Sequence, residues 1–350
     1  MARLRAVAVA FASSAAFALL LASSLAAADG SDADGDGVPD DLEQATQRTV
    51  AATSSGDAFN VSSRIERGDL EDQLELSYKA GAFAVWYEQR EGASSGYDLE
   101  VQNLVEWNDV NGNGRIDDGE VVGSTPLGRS AFAGAPVIRS NATSADGGRI
   151  FNFVVHSRMD EVTLNVTIAA RFMRLGDIVL TPMEANLNIT IRHTLVHPAA
   201  KIGIELAMGT QGHVQYPPHS WDEENGFARN EASVNVTGER SDRSAAVFFS
   251  WTTNAVADGA PTQVTLASQQ PAPDSYNLYL SYGAVPMQSI ATIEQRTALG
   301  VEGGVYQQIL RTSPGLHGDV WLYAGSLIGV SAVVALTIVV ANRRRKRREE

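Results

Sequence analysis

Apolar and polar side chains alternate with a period of two through much of residues 58–290. In "EVTLNVTIAAR", Val162, Leu164, Val166 and Ile168 alternate with Glu161, Thr163, Asn165 and Thr167. In "ANLNITIRH", Leu187, Ile189 and Ile191 alternate with Asn186, Asn188, Thr190 and Arg192. "EASVNVTG" and "SYNLYLSY" repeat the pattern. Successive side chains of a strand point to opposite faces, so these stretches predict strands with one wet and one buried face, the habit of antiparallel sheets. Further strands are predicted over 72–79, 82–89, 99–107, 149–157, 200–207 and 245–252, with clusters of Gly, Pro, Asn and Asp between them. The expected fold is mainly β: an antiparallel β-sandwich, jelly-roll-like, over 58–290.

The pattern changes outside that region. Residues 29–57 hold an acidic loop, a short predicted helix over 40–53 and a hinge at Ser54–Asp57. Residues 286–318 are less regular, and 291–319 read as a segment leading to a membrane. Val320–Ala341 contains no charge and, as a helix rising about 1.5 Å per residue, spans the apolar thickness of a bilayer. Trp321 and Tyr323 stand at its start, and six basic residues, Arg343–Arg348, follow it. Interfacial aromatics and a basic stop predict one transmembrane helix, 320–341, with a cytoplasmic tail, 342–350. Residues 1–28 have a basic start, an apolar run and the small residues Ala26–Ala28, the layout of a signal peptide. The expected topology is N-terminus outside, one span, tail inside.

Charge sharpens this picture. The formal charge is −14; setting aside the signal's two arginines and the tail's net excess of four positive charges leaves −20 on the exported part. Such a surface repels nucleic acid and attracts cations. The chain has three lysines, Lys79, Lys201 and Lys346, and no cysteine. Disulfides are therefore excluded as staples, although the compartment would allow them. Five sequons, at Asn60, Asn141, Asn165, Asn188 and Asn235, predict N-glycosylation. Asn165, Asn188 and Asn235 fall on the polar faces of predicted strands.

Two twelve-residue stretches carry oxygen at spaced positions. "DADGDGVPDDLE" offers Asp32, Asp34, Asp36, the carbonyl of Val38, Asp40 and Glu43. "DVNGNGRIDDGE" offers Asp109, Asn111, Asn113, the carbonyl of Arg115, Asp117 and Glu120, with Gly114 at the sixth place and Ile116 at the eighth. Ca²⁺ takes six to eight oxygens, and this spacing turns them toward one point while the glycine permits the sharp bend. The first stretch, with Pro39 after Val38, resembles the thrombospondin type 3 calcium repeats. The second resembles an EF-hand or dockerin loop. Both resemblances cover about a dozen residues and imply calcium ligation, with no activity attached. Strand-like sequence on both sides of 109–120 predicts a loop inserted between strands rather than a helix–loop–helix.

Other motifs carry less. "GASSG", Gly92–Gly96, has the spacing of a nucleophile elbow but lies between two strand patterns, which predicts a hairpin. His193 and His197 lie four apart in "HTLVH"; in an extended strand their rings stand about 13 Å apart, which disfavours a shared metal. Residues 209–226, "GTQGHVQYPPHSWDEENG", form a long break with aromatic and acidic side chains, the best place for a glycan or protein ligand. The expected molecule is a calcium-stabilised, glycosylated single-pass surface protein of archaeal character, serving adhesion, envelope organisation or ligand binding. The alternatives are a membrane-tethered extracellular hydrolase and an accessory subunit of a membrane complex.

Overall fold

The computed structural model describes residue 44 and residues 46–305, apart from 90–93, 118, 144–146, 176–177, 212, 216–230, 238–245, 287–289 and 304. The predicted signal peptide (1–28), the first acidic loop (32–43), the apolar segment 320–341 and the basic residues after it lie outside the described residues. So does most of the 209–226 stretch. Among the described residues no helix is long and apolar enough to cross a membrane.

In chain order the strands are β1 (Gln47–Ser55), β2 (Ala58–Arg67), β3 (Leu70–Lys79), β4 (Ala82–Gln89), β5 (Ser94–Trp107) and β6 (Val121–Pro126). A short helix α1 (Gly128–Phe132) precedes β7 (Ile138–Thr143), β8 (Arg149–His156), β9 (Val162–Ala169), β10 (Met173–Leu175) and β11 (Ile178–Leu180). Then come β12 (Glu184–Thr194), β13 (Lys201–Gln211), β14 (His213–Gln215), β15 (Glu231–Thr237) and β16 (Ala246–Thr252). The last are β17 (Asn254–Ala257), β18 (Ala260–Ala272), β19 (Ser275–Tyr282) and β20 (Ile290–Glu302).

Every strand pairing among the described residues is antiparallel. One layer runs β1-β2-β3-β4-β5-β13-β19-β18. The other runs β7-β8-β9-β12-β20, with β16, β15 and β14 continuing beyond β20. The long β18 joins them: residues 260–263 pair β17, which pairs β20, while 264–272 pair β19. At the opposite side Val137 N–H, just before β7, donates to Gly56 O after β1 at 2.9 Å. The two layers thus form a sandwich that is nearly a closed barrel.

The core lies between the layers and follows the alternation. Leu187, Ile189 and Ile191 of β12 are buried, while Asn188, Arg192 and Thr194 are exposed. Phe59 of β2 stacks on Phe153 of β8 across the layers, with ring centroids 4.3 Å apart. Tyr97 of β5 crosses the same gap to donate to Phe248 O at 2.7 Å. Burial of an aromatic side chain removes roughly 150–250 Å² from water, so such pairs carry much of the layer-to-layer adhesion.

Three expectations need correction. The helix over 40–53 is replaced from Gln47 onward by β1, an edge strand paired with β2. Its Gln, Arg and Ala residues suit a helix locally, but pairing along β2 half-buries the Val50 and Ala52 side, and tertiary contact overrides propensity. The hinge at Ser54–Asp57 is a tight turn, with Ser55 opposite Ala58 and Gly56 at φ +59°. Residues 291–302, expected to begin the 291–319 membrane-proximal segment, belong to β20 (Ile290–Glu302), inserted between β12 and β16. Its alternation was masked by two polar residues on the inward face. Gln295 donates from Nε2 to Thr252 O at 3.1 Å, and Thr297 Oγ1 donates to Leu187 O at 2.8 Å.

Candidate metal centre

Loop 109–120 connects β5 to β6, a strand–loop–strand unit as its flanking sequence predicts. Its neck is closed by Asn108 N–H donating to Glu120 O at 2.9 Å. Inside, the side chains at the spaced positions fold the backbone around themselves. Gly114 N–H donates to both oxygens of Asp109, at 3.3 and 3.2 Å. Asn113 N–H donates to Asn111 Oδ1 at 3.0 Å, and Arg115 N–H to Asn113 Oδ1 at 2.7 Å. The Glu120 carboxylate receives Val110 N–H at 2.9 Å on one oxygen and Asp117 N–H at 3.1 Å on the other. Gly114 has φ +72°, in the left-handed region that a side chain resists.

Ile116 fastens this loop to the domain. It is buried with Val105 and Trp107, and Tyr279 packs against the same cluster. A Cβ on Gly203 of β13 would stand 2.5 Å from Ile116 Cδ1, so glycine there makes the seat. Thr265 of β18 donates to Gly114 O. Lys201, the first residue of β13, lies directly opposite Trp107 in the register. Its Nζ stands 2.8 Å from Asp109 Oδ2 and 5.0 Å from the centre of the Trp107 ring. The hydrogen bond from Lys201 holds the Asp109 carboxyl below its usual range.

The donor set suits a hard cation: carboxylates at Asp109, Asp117 and Glu120, amide oxygens at Asn111 and Asn113, and the Arg115 carbonyl. Most of the side-chain oxygens in this set accept from donors within the domain. Asp117 Oδ2 accepts from Asn111 Nδ2 at 2.7 Å and from Asn113 Nδ2 at 2.6 Å, while Asp109 holds the lysine. Accordingly, among the described residues no three His, Cys, Asp or Glu side chains are grouped so that they could hold a metal. The loop has the path and the oxygens that calcium asks for, with its carboxylates spread over internal donors. Calcium there requires Asp109 and Asp117 to exchange those donors for the ion.

Beside the loop lies a cluster that the sequence reading set aside. Glu106 of β5 is buried, and both its oxygens are saturated. Oε1 lies 2.9 Å from His193 Nε2 and accepts Val196 N–H at 2.8 Å. Oε2 lies 3.0 Å from His197 Nδ1 and accepts His197 N–H at 2.7 Å. The two histidines meet one carboxylate because β12 ends at Thr194 and the chain turns before β13, so they are not both in an extended strand. Burial pushes the Glu106 carboxyl up, but these four hydrogen bonds outweigh it and hold the group below its ordinary range. A carboxylate saturated in this way anchors the 195–200 connection; it has no lone pair directed at a substrate proton.

The remaining predicted sites are dispersed. Asn60, Asn141 and Asn188 are exposed on β2, β7 and β12. Asn165 on β9 is half-buried, lies directly opposite Asn188, and accepts from Asn152 Nδ2 at 2.8 Å. Asn235 on β15 is half-buried with its Oδ1 enclosed. The 209–226 break starts later than its composition suggests: β13 continues to Gln211 and β14 occupies His213–Gln215. Of the Gly92–Gly96 motif, Ser94–Gly96 open β5, and Glu88 of β4 pairs with Ser94, as the hairpin reading expects.

No protein-family model matches the chain, and no curated protein matches it. A solved structure from Klebsiella pneumoniae subsp. pneumoniae MGH 78578, assigned as an aldose 1-epimerase, aligns over 78% of this chain and 96% of its own at 11% identity. The TM-score is 0.24, a likeness that carries no weight for fold or activity.

Proposed function

We propose that this chain is a calcium-stabilised, N-glycosylated single-pass surface protein whose β-domain lies outside the cell and serves adhesion, envelope organisation or ligand binding. The observation that carries this reading is loop 109–120. Six oxygen-bearing positions are wound between two strands and seated on the domain by Ile116. The charge-free stretch Val320–Ala341 and the basic block after it support the membrane anchor. The excess of acidic residues supports a cation-rich exterior.

Calcium bound at Asp109, Asn111, Asn113, Arg115 O, Asp117 and Glu120 would neutralise the loop's carboxylates and tie β5 to β6. In a chain without cysteine this replaces a covalent staple. Loop 32–43, with four aspartates and a glutamate at equivalent places, is proposed as a second calcium site.

The test is thermal unfolding of the full chain with calcium and with chelator, beside Asp109→Ala. At tenfold excess over its dissociation constant, one site adds about 1.4 kcal/mol. A melt indifferent to both ion and chelator removes the calcium reading. Protease digestion of intact cells tests the topology: the β-domain is expected to be cleaved and the basic tail protected.

A further inference from the structure

Lys201 stands where a calcium loop should carry no positive charge. Asp109 occupies the first position, whose carboxylate a bound ion requires. The ammonium of Lys201 lies 2.8 Å from that carboxylate. It is stationed there: the side chain is 19% exposed, and its charge lies over the face of the buried Trp107. Trp107 is itself fixed by donating from Nε1 to Ile202 O at 3.2 Å, and by pairing with Lys201 across β5 and β13.

We propose that Lys201 is a tethered competitor cation that sets the calcium affinity of loop 109–120. This rests on the calcium reading above. Without the ion, the ammonium neutralises Asp109 and the loop keeps its fold. An arriving divalent ion meets a like charge at the first ligand and must displace it. Binding is then an exchange of one cation for another, so the loop takes calcium only where the ion is plentiful. Lysine suits that role better than arginine. Its ammonium is a point charge on a flexible stem that can swing away, whereas a guanidinium fork grips a carboxylate with two parallel bonds. Arginine supplies nearly all the other basic groups of this chain, yet lysine stands here.

The experiment is calorimetric titration of the full chain with calcium chloride. Asp109→Ala defines the heat that belongs to this loop and separates it from loop 32–43. Lys201→Met removes the charge and keeps an apolar stem on Trp107; Lys201→Gln serves if the methionine variant does not fold. Lys79→Met removes an exposed lysine at the end of β3 and controls for net charge. Lys201→Met is expected to bind calcium at this loop about tenfold more tightly than wild type, from removing one like charge within a few ångströms of the ion. Lys79→Met is expected to leave the affinity unchanged. In chelator, Lys201→Met should melt below wild type, yet gain more from added calcium. Unchanged or weaker binding in Lys201→Met overturns the proposal, and makes Lys201 a residue that positions Asp109. If wild type and both Lys201 variants show no heat that Asp109→Ala abolishes, the calcium reading fails and this proposal with it.

Discussion

Nε2 of His193 lies 2.9 Å from Oε1 of Glu106, a residue 87 positions earlier in the chain. This contact ties the end of β12 to β5, just before the strand enters loop 109–120. The loop's base therefore depends on a buried carboxylate that no motif in the sequence marks.

Replacing that carboxylate should be costly. Glu106→Ala leaves two backbone N–H groups and two imidazoles without their acceptor. The expected loss is about 3 kcal/mol or more, because removing one partner of a buried charged network leaves the others unsatisfied. Urea unfolding of wild type and variant measures it. A loss below about 1 kcal/mol would show that water replaces the carboxylate adequately.

Acid should weaken the same anchor. The folded Glu106 carboxyl titrates below its ordinary value of 4.5. Its contribution is therefore complete above that value and is lost as pH falls through the lower folded value. Melting temperature should decline below pH 4.5, and Glu106→Gln should flatten that part of the profile. A variant profile parallel to wild type would assign the acid sensitivity to other carboxylates.

The seat of Ile116 gives a packing test. Gly203→Ala places a methyl group 2.5 Å from Ile116 Cδ1 and 3.0 Å from Leu280 O. The backbone oxygen cannot retreat easily, so the expected cost is about 1–3 kcal/mol. The calcium binding proposed for loop 109–120 should weaken with it. The double variant Gly203→Ala/Ile116→Val should recover part of the stability, which differential scanning calorimetry would detect.

Sugar attachment should follow exposure. Asn60, Asn141 and Asn188 stand in solvent, while Asn235 has its amide oxygen enclosed. Asn165 and Asn188 are direct cross-strand partners, so their Cβ atoms are about 4.5–5.5 Å apart and two glycans there would collide. Glycopeptide mass spectrometry of the native protein is expected to find sugar at Asn60, Asn141 and Asn188, none at Asn235, and no copy modified at both Asn165 and Asn188. Modified Asn235 would contradict the burial argument.

Much of the β-domain was legible because its physics is local. Alternation at Val162–Ile168 and Leu187–Ile191 has the period of a strand, and those residues are buried as it requires. Loop 109–120 was legible for the same reason: its donors, its bend at Gly114 and its apolar anchor Ile116 lie within twelve consecutive residues. The limits of this reading are equally physical. β1 looks helical by propensity and is a strand because β2 offers it an edge. β20 hides its inward face behind Gln295 and Thr297, whose donors reach Thr252 and Leu187 on other strands.

By itself, then, the sequence determined the antiparallel β character, the oxygen spacing of the loop, and the charge balance, since each depends on neighbours along the chain. The tertiary structure decided which distant groups meet: the layers joined through β18, the four donors on Glu106, the seat of Ile116 on Gly203, and Lys201 on Asp109. Spacing along a chain cannot encode those contacts, because they arise from strand pairing between segments as far apart as β5 and β13.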